Sequence, residues 1–384
     1  MDGRRRAGAA AVFALVVLGL PTGMLGVAWP SIREALGAPL AGLGVILGAM
    51  TVTQFAASTF NGAIRARLGT TLVLLVPALF AAVGLALFAV AGDWLVITLA
   101  AAVLGAGLGV FDAAVNTEAA LRRGVRFMGA LHASWAAGAA IGPAVVTLAI
   151  VGFGTWRVGF AFAAVLFVVV ALAVVAMRGS LIEAPQHDLP TADAARRYVI
   201  VGAALMFVYV GIELGAGQWS YTRFTFASEL DTQTAATAVF LYWSGLGAGR
   251  VLLALIGDRV GATRWLDLSV MGAVIATLAF SLLPPTFAAL VALPMLGLCL
   301  SVFVPVLIYI TPQRVGNAAA PHAIGDRVAA GMRGGAPLPA ATGVLKQSVG
   351  VPALGPALVG LAVVLAALHR FASRRSGRSC SIPR

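Results

Sequence analysis

The chain has 384 residues, 60% hydrophobic and only 10% charged, with a net charge of +12 and a mean hydropathy of +0.98. A water-soluble domain carries about 25% charged residues and presents polar faces on its helices, so these figures exclude one. The positive balance does not point to nucleic acid either, because the arginines gather in short segments between long apolar runs.

The first run, 7–29, follows Arg4–Arg6 and so imitates a secretory leader. It is longer than the roughly 7–15 residues of a leader's apolar region and reads as an uncleaved first span. It contains Gly19, Pro21, Thr22, Gly23 and Gly26, which weaken a helix. Further runs are placed at 41–61, 70–91, 94–119, 128–150 and 156–177. Thr71–Ala91 and Trp156–Met177 have no polar face and reach the ~20 residues a helix needs to cross hydrocarbon. They lack the alternation of a barrel strand. A polar stretch, 179–197, then interrupts with Glu183, Asp188, Asp193 and two prolines. Six more runs follow at 198–219, 235–256, 265–284, 286–311, 321–344 and 351–371.

The expected fold is therefore all-α: a polytopic membrane protein of twelve transmembrane helices in two pseudo-symmetric six-helix bundles. Residues 1–178 form the first bundle, 179–197 a cytoplasmic linker, and 198–384 the second bundle with a basic cytoplasmic tail. Arginines concentrate in alternate loops: Arg65 and Arg67, Arg122, Arg123 and Arg126, Arg178, Arg196 and Arg197, Arg259 and Arg264, Arg314, and Arg370 onward. The intervening loops hold only Arg33, Arg157, Arg223 and Lys346. This positive-inside asymmetry places both termini in the cytoplasm. One lysine against 25 arginines, with abundant alanine, suggests a GC-rich bacterial genome and hence a bacterial inner membrane. Cys299 lies in an apolar run and Cys380 in the basic tail, so no disulfide is expected.

A short basic turn closing on glycine recurs in each half. After the second run stands Gly62-Ala-Ile-Arg-Ala-Arg67-Leu-Gly69, and after the eighth Gly257-Asp258-Arg259-Val-Gly261. These turns resemble the G-x-x-x-D-R-x-G loop of the major facilitator superfamily. The first copy has Ala66 in the acidic position, and the second has Ala254 in place of the first glycine. Several segments, in order along the chain, resemble the fucose-permease-like branch: Leu25–Leu36, Gly105–Thr117, Leu131-His132-Ala133, Gly138–Pro143, Tyr209–Glu213, Gln218-Trp219 and Tyr242–Arg250. The resemblance implies alternating access between two six-helix halves, usually driven by protons.

Ionisable groups inside membrane helices are costly, and so they mark function by default. Asp112 lies about ten residues before Arg122, roughly 15 Å deep at 1.5 Å per residue. Asn116 follows one turn later on the same face. In the branch this chain resembles, an acid at the Asp112 position is tied to proton coupling; the plainer alternative is a structural hydrogen bond. His132, about a turn and a half into the fifth run, joins Asp112 as a proton-coupling candidate because imidazole titrates near neutrality. Glu118 reads as a structural partner of Arg122, four residues on.

Glu213 sits among Gly211, Gly215 and Gly217 in a helix weakened towards its outer end, and transporters bind solutes at broken helices. Substrate-binding candidates are Thr22, Asn116, Tyr209, Glu213, Gln218 and Trp243; gating candidates are Arg67, Arg250, Asp258 and Arg259, with Arg250 expected to partner Asp258. Trp219 and Tyr221 read as interfacial anchors. The first run carries no acid near Thr22 where relatives often do, which leaves proton coupling open. The eleventh run holds Asp326, Arg327 and Arg333: they line a cavity, or they sit at the cytoplasmic entrance of a shorter helix, the reading favoured by arginine's ability to snorkel.

No zinc spacing, phosphate-binding loop or G-x-S-x-G context occurs, so neither an enzyme nor a cofactor or metal is expected. The expected partners are a small-molecule solute, the lipid bilayer and, if coupled, protons, with a monomeric protein. The functional expectation is a transporter of a small polar solute such as a sugar or related metabolite. The alternatives are drug or metabolite efflux and a transport-fold sensor that binds without transporting.

Overall fold

The computed structural model describes residues 2–38, 42–178, 193–228, 230–335, 338, 341 and 353–373. Most of the predicted linker, the basic tail from 374, Lys346, Cys380 and the second half of the predicted eleventh span lie outside these residues. Among the described residues there is no strand. The helices, in chain order, are α1 Asp2–Leu36, α2 Gly42–Thr59, α3 Asn61–Val90, α4 Trp94–Arg122, α5 Val125–Phe153, α6 Arg157–Ala176, α7 Asp193–Phe226, α8 Thr232–Val260, α9 Ala262–Leu282, the interrupted α10 Pro285–Tyr309, which a short helix Thr311–Val315 follows, α11 Ala320–Gly335 and α12 Leu354–Ser373. Ten of the described helices are long and apolar enough to cross a membrane. The apolar part of α2, Val45–Thr59, is shorter, and α11 is amphipathic.

The described chain forms two compact units. One comprises Met1–Arg122, Ala130–Pro190 and Gly316–Ala329; the other comprises Arg123–Gly129, Thr191–Val315 and Ala330–Arg384. In the first unit α2 packs on α4, α3 on α4 and α6, and α1 on α6, while α5 meets α1 through Gly138 and Gly142. In the second unit α8 packs on α10, α9 on α10 and α12, and α7 on α12, while Gly334 of α11 lies against the Phe207 main chain of α7. Each pairing in the first unit recurs in the second with helix numbers raised by six. The internal repeat hinted at by two short turns is therefore a repeat of the packing scheme.

Small residues make this packing close. Gly105 and Gly109 lie one turn apart on α4, and a Cβ at either would run into the main-chain oxygen of Met50 or Gln54 on α2. Gly245 and Gly249 repeat the device on α8, against α10. Lipid tails give helices no hydrophobic reason to associate, so close van der Waals contact has to hold them together.

The two repeated turns end on Gly69 (φ 74°) and Gly261 (φ 85°), both in backbone conformations that a Cβ disfavours. One difference from expectation concerns the first turn. Residues 61–68 are already helical, and α3 is broken only at Gly69. In α10 a wide π turn at Ala288–Ala292 precedes Pro294, and the helix is interrupted again at Ser301–Val302, before Pro305. Proline supplies no N–H and crowds the preceding turn. The Ser269 hydroxyl of α9 donates to the Cys299 carbonyl beside the second break, at 2.6 Å.

Candidate functional site

In the second unit Tyr209, Glu213, Tyr242 and Arg250 form a polar cluster on α7 and α8. Tyr209 and Glu213 are one turn apart on α7, and both are removed from water. The Arg250 guanidinium of α8 approaches the Glu213 carboxylate at 3.6 Å, with side-chain exposures of 7% and 12%. The Tyr209 hydroxyl lies beside the same carboxylate, and its ring is stacked on Phe303 with centroids 4.9 Å apart and planes 8° apart. Tyr242, two turns before Arg250, donates its hydroxyl to the Glu213 main-chain oxygen at 2.8 Å. That oxygen belongs to a glycine-rich stretch of helix, so the bond pins the backbone from which Glu213 projects. The Tyr242 ring meets Trp243 edge-on at 5.1 Å, and Trp243, which covers Gly217, is 41% exposed. The cluster thus runs from a buried ion pair to an exposed aromatic face.

Two of the polar groups of the first unit involve α4. On α4 the Asn116 amide donates to the Asp112 carboxylate at 2.9 Å and to its main-chain oxygen at 3.0 Å. Asn116 is fully buried and Asp112 half-buried. Further along α4, Glu118 bridges Arg65 at 2.5 Å and Arg122 at 2.9 Å. The Arg122 contact matches the i,i+4 spacing read from the sequence. Arg65 does not, because it belongs to the start of α3.

The other predicted residues are placed as follows. Thr22 and Gln218 are exposed, and His132 is half-buried on α5. Of the gating candidates, Arg67, Asp258 and Arg259 are exposed. Arg250, expected beside Asp258, has Glu213 as its ion-pair partner. Within the second unit Arg126 donates to the Ala254 main-chain oxygen at 2.9 Å.

Sequence reasoning missed the burial of Arg65 and Arg327 and the Tyr242 bond. In the first turn the buried arginine is Arg65, not Arg67. A helical period over 61–68 would have put Arg65 on the face of buried Asn61, four residues earlier. Arg327 is fully buried rather than snorkelling, whereas Arg333 is exposed. In the same part of the first unit, the Asn61 amide donates to the Pro321 main-chain oxygen at 3.1 Å, and Gly62 lies under the His322 ring.

Residues 11–339 match the sequence profile of the Major Facilitator Superfamily. Two Helicobacter pylori proteins named as glucose/galactose transporters are 23% and 24% identical over 135 residues, which is 35% of this chain and 33% of theirs. The chain thus spans about a third of the length of the curated relatives it matches. Among solved structures, the E. coli fucose:proton symporter aligns with a TM-score of 0.78 at 15% identity, over 96% of this chain and 98% of that one. A human organic anion transporter aligns at 0.72 and 18% identity, over 95% and 99%. A proton:xylose symporter aligns at 0.69 and 14%, over 96% and 95%. At these identities the likeness establishes the fold. The family and these neighbours are transporters, not enzymes.

Proposed function

The chain belongs to the major facilitator superfamily, and on that premise we propose that it moves a small polar solute, a sugar or related metabolite, by alternating access. The two six-helix halves, 1–178 and 198–384 joined by 179–197, are its moving parts, and the setting is a bacterial inner membrane with both termini in the cytoplasm. The observation that carries this reading is the polar cluster on α7 and α8. Glu213, Arg250, Tyr209 and Tyr242 concentrate hydrogen-bonding groups inside an otherwise apolar helix pair, and the exposed Trp243 ring adds an apolar surface of the kind a sugar face packs on. Efflux of a cationic drug is less well supported, since Arg250 already neutralises the one acid of the cluster. The names of the neighbours, which refer to fucose, xylose and glucose/galactose, agree with a sugar-like solute.

Asp112 is the proton carrier in this reading. Its carboxylate is held by a single side-chain bond from Asn116, a partner that can hydrogen-bond the protonated form as well. The test is counterflow of labelled solutes by the full chain in liposomes, with and without an imposed pH gradient. Saturable counterflow of some sugars or related metabolites is expected, and gradient-driven accumulation is expected to be lost in Asp112→Asn. A wild-type protein that exchanges nothing across a broad panel would sink the transport reading. Unimpaired accumulation by Asp112→Asn would sink the role of that residue.

A further inference from the structure

The side of the membrane opposite the basic turns carries few arginines, so each one there calls for a reason. Two of them bind main-chain oxygens at helix ends. Arg33 donates from Nε to the Ala38 oxygen, just past α1, at 3.2 Å. Arg157 donates to the Ala89 oxygen, in the last turn of α3, at 3.1 Å. Arg223, in the last turn of α7, is built differently. Its Nη1 is cut off from the surface and has no hydrogen-bond acceptor. Among the described residues no carboxylate pairs with it. Its guanidinium lies over the Phe280 ring of α9, with Cζ 4.1 Å from the centroid. That attraction holds the group in place but satisfies no N–H.

The surroundings of Nη1 add to the imbalance. A Cβ on Gly355 would stand 3.0 Å from Nη1 and 2.7 Å from the Ser281 hydroxyl oxygen, so the room beside them exists only because that residue is glycine. Gly355 lies in the first turn of α12. The first amides of a helix have no acceptor within it and form its positive end. A guanidinium thus faces a second positive pole, next to a hydroxyl, with no acid at hand. An anion offsets all of this. It accepts from the guanidinium and the hydroxyl, and it is favoured at a helix start. The surface of α9 indicates what carries the anion. Met271, Ile275, Leu278 and Leu282 are exposed at spacings of four, three and four, which makes one apolar stripe along the helix. The stripe ends beside Ser281. On a spanning helix it faces acyl chains, and its end lies at headgroup level. A phosphate joined to acyl chains matches both features, and a free anion matches only the first.

We infer that Arg223, Ser281 and the start of α12 bind the phosphate of a phospholipid whose chains lie along the α9 stripe. The site belongs to the second unit alone and does not depend on which solute the protein moves.

The full chain, stripped of lipid in a neutral detergent, provides the test. Its melting, followed by tryptophan fluorescence, is titrated with dioctanoyl phosphatidylglycerol. Dioctanoylglycerol supplies the chains without the phosphate, and inorganic phosphate supplies the phosphate without the chains. A saturable rise of several degrees is expected with phosphatidylglycerol, and neither of the other probes is expected to reproduce it at the same concentration. Arg223→Met is expected to raise the half-saturating concentration roughly fivefold or more. Gly355→Ala keeps the charge but fills the room beside Nη1, and it is expected to weaken the response in the same direction, which keeps the proposal refutable if Arg223→Met does not fold. Arg157→Gln, which loses a main-chain bond elsewhere, is expected to melt lower and still half-saturate as wild type does. An equal response to dioctanoylglycerol would show that the chains alone bind, and an equal response to inorganic phosphate would show a free-anion site; either overturns the assignment. So would wild-type half-saturation in Arg223→Met or Gly355→Ala.

Discussion

Replacing Glu118 tests the polar packing of the first unit without involving any solute. Its carboxylate is shared by Arg65, which is 6% exposed, and Arg122, which is 26% exposed. Glu118→Met leaves the Arg65 guanidinium inside the bundle without that carboxylate. Breaking a buried pair by removing one partner costs about 3–5 kcal/mol. The Arg122 contact is an i,i+4 pair nearer water and adds only about 0.3–0.5 kcal/mol. The total predicts a loss of roughly two and a half to four powers of ten in the folding equilibrium, read as a lowered apparent Tm by tryptophan fluorescence in detergent. The double replacement Arg65→Met/Glu118→Met removes both charges from the same space. Apolar groups of similar volume often replace a buried ion pair at no net cost, so the double variant should be more stable than Glu118→Met alone, with a coupling energy of about 1–3 kcal/mol. A single-variant loss below ~1 kcal/mol, or a double variant whose losses simply add, would refute the claim that Arg65 depends on Glu118.

Three further outcomes are expected. Gly245→Val should cut the yield of monodisperse protein on size exclusion, because its Cβ would lie 2.5 Å from the Pro294 oxygen on α10, whereas Gly247→Ala, with nothing within 4 Å, should match wild type; overpacking of this kind costs about 1–3 kcal/mol. Gly69→Ala and Gly261→Ala should each lower apparent stability by about 1–3 kcal/mol, since both positions hold positive φ, and equal melting of all three proteins would contradict that assignment. Asp231 caps α8 by accepting from the Thr234 amide at 2.9 Å, and the Thr234 bonds hold its carboxyl below the usual carboxylate range. With the folded value depressed, the cap stabilises fully above the unfolded value of about 4 and weakens as pH falls through the lower folded one; Asp231→Ala should therefore speed amide exchange at the start of α8 at neutral pH, and the difference should shrink in acid.

Much of the architecture was legible in the residues themselves. Apolar length alone located the spans to within a few residues in most cases, because hydrocarbon demands about 20 unbroken helical positions. Gly105 and Gly109, one turn apart in an apolar run, suit close helix packing, and both lie against the α2 main chain. The glycines ending the two basic turns, Gly69 and Gly261, announced the repeat, and both adopt the backbone that only glycine takes easily. Glu118 with Arg122 was readable because one helical turn joins them. The start of α3 was less legible: a basic segment before a glycine reads as a loop, yet 61–68 is helical, and that error exchanged Arg67 for Arg65.

What the tertiary structure alone decided was which charge meets which. Arg65 reaches Glu118 across two helices, Arg250 meets Glu213, and Tyr242 finds a main-chain oxygen on α7. Hydropathy and spacing act along one chain segment and say only that a buried charge must have a partner. The choice of partner depends on how glycine-lined helices nest. That nesting is a property of two surfaces at once, and no single stretch of sequence contains it.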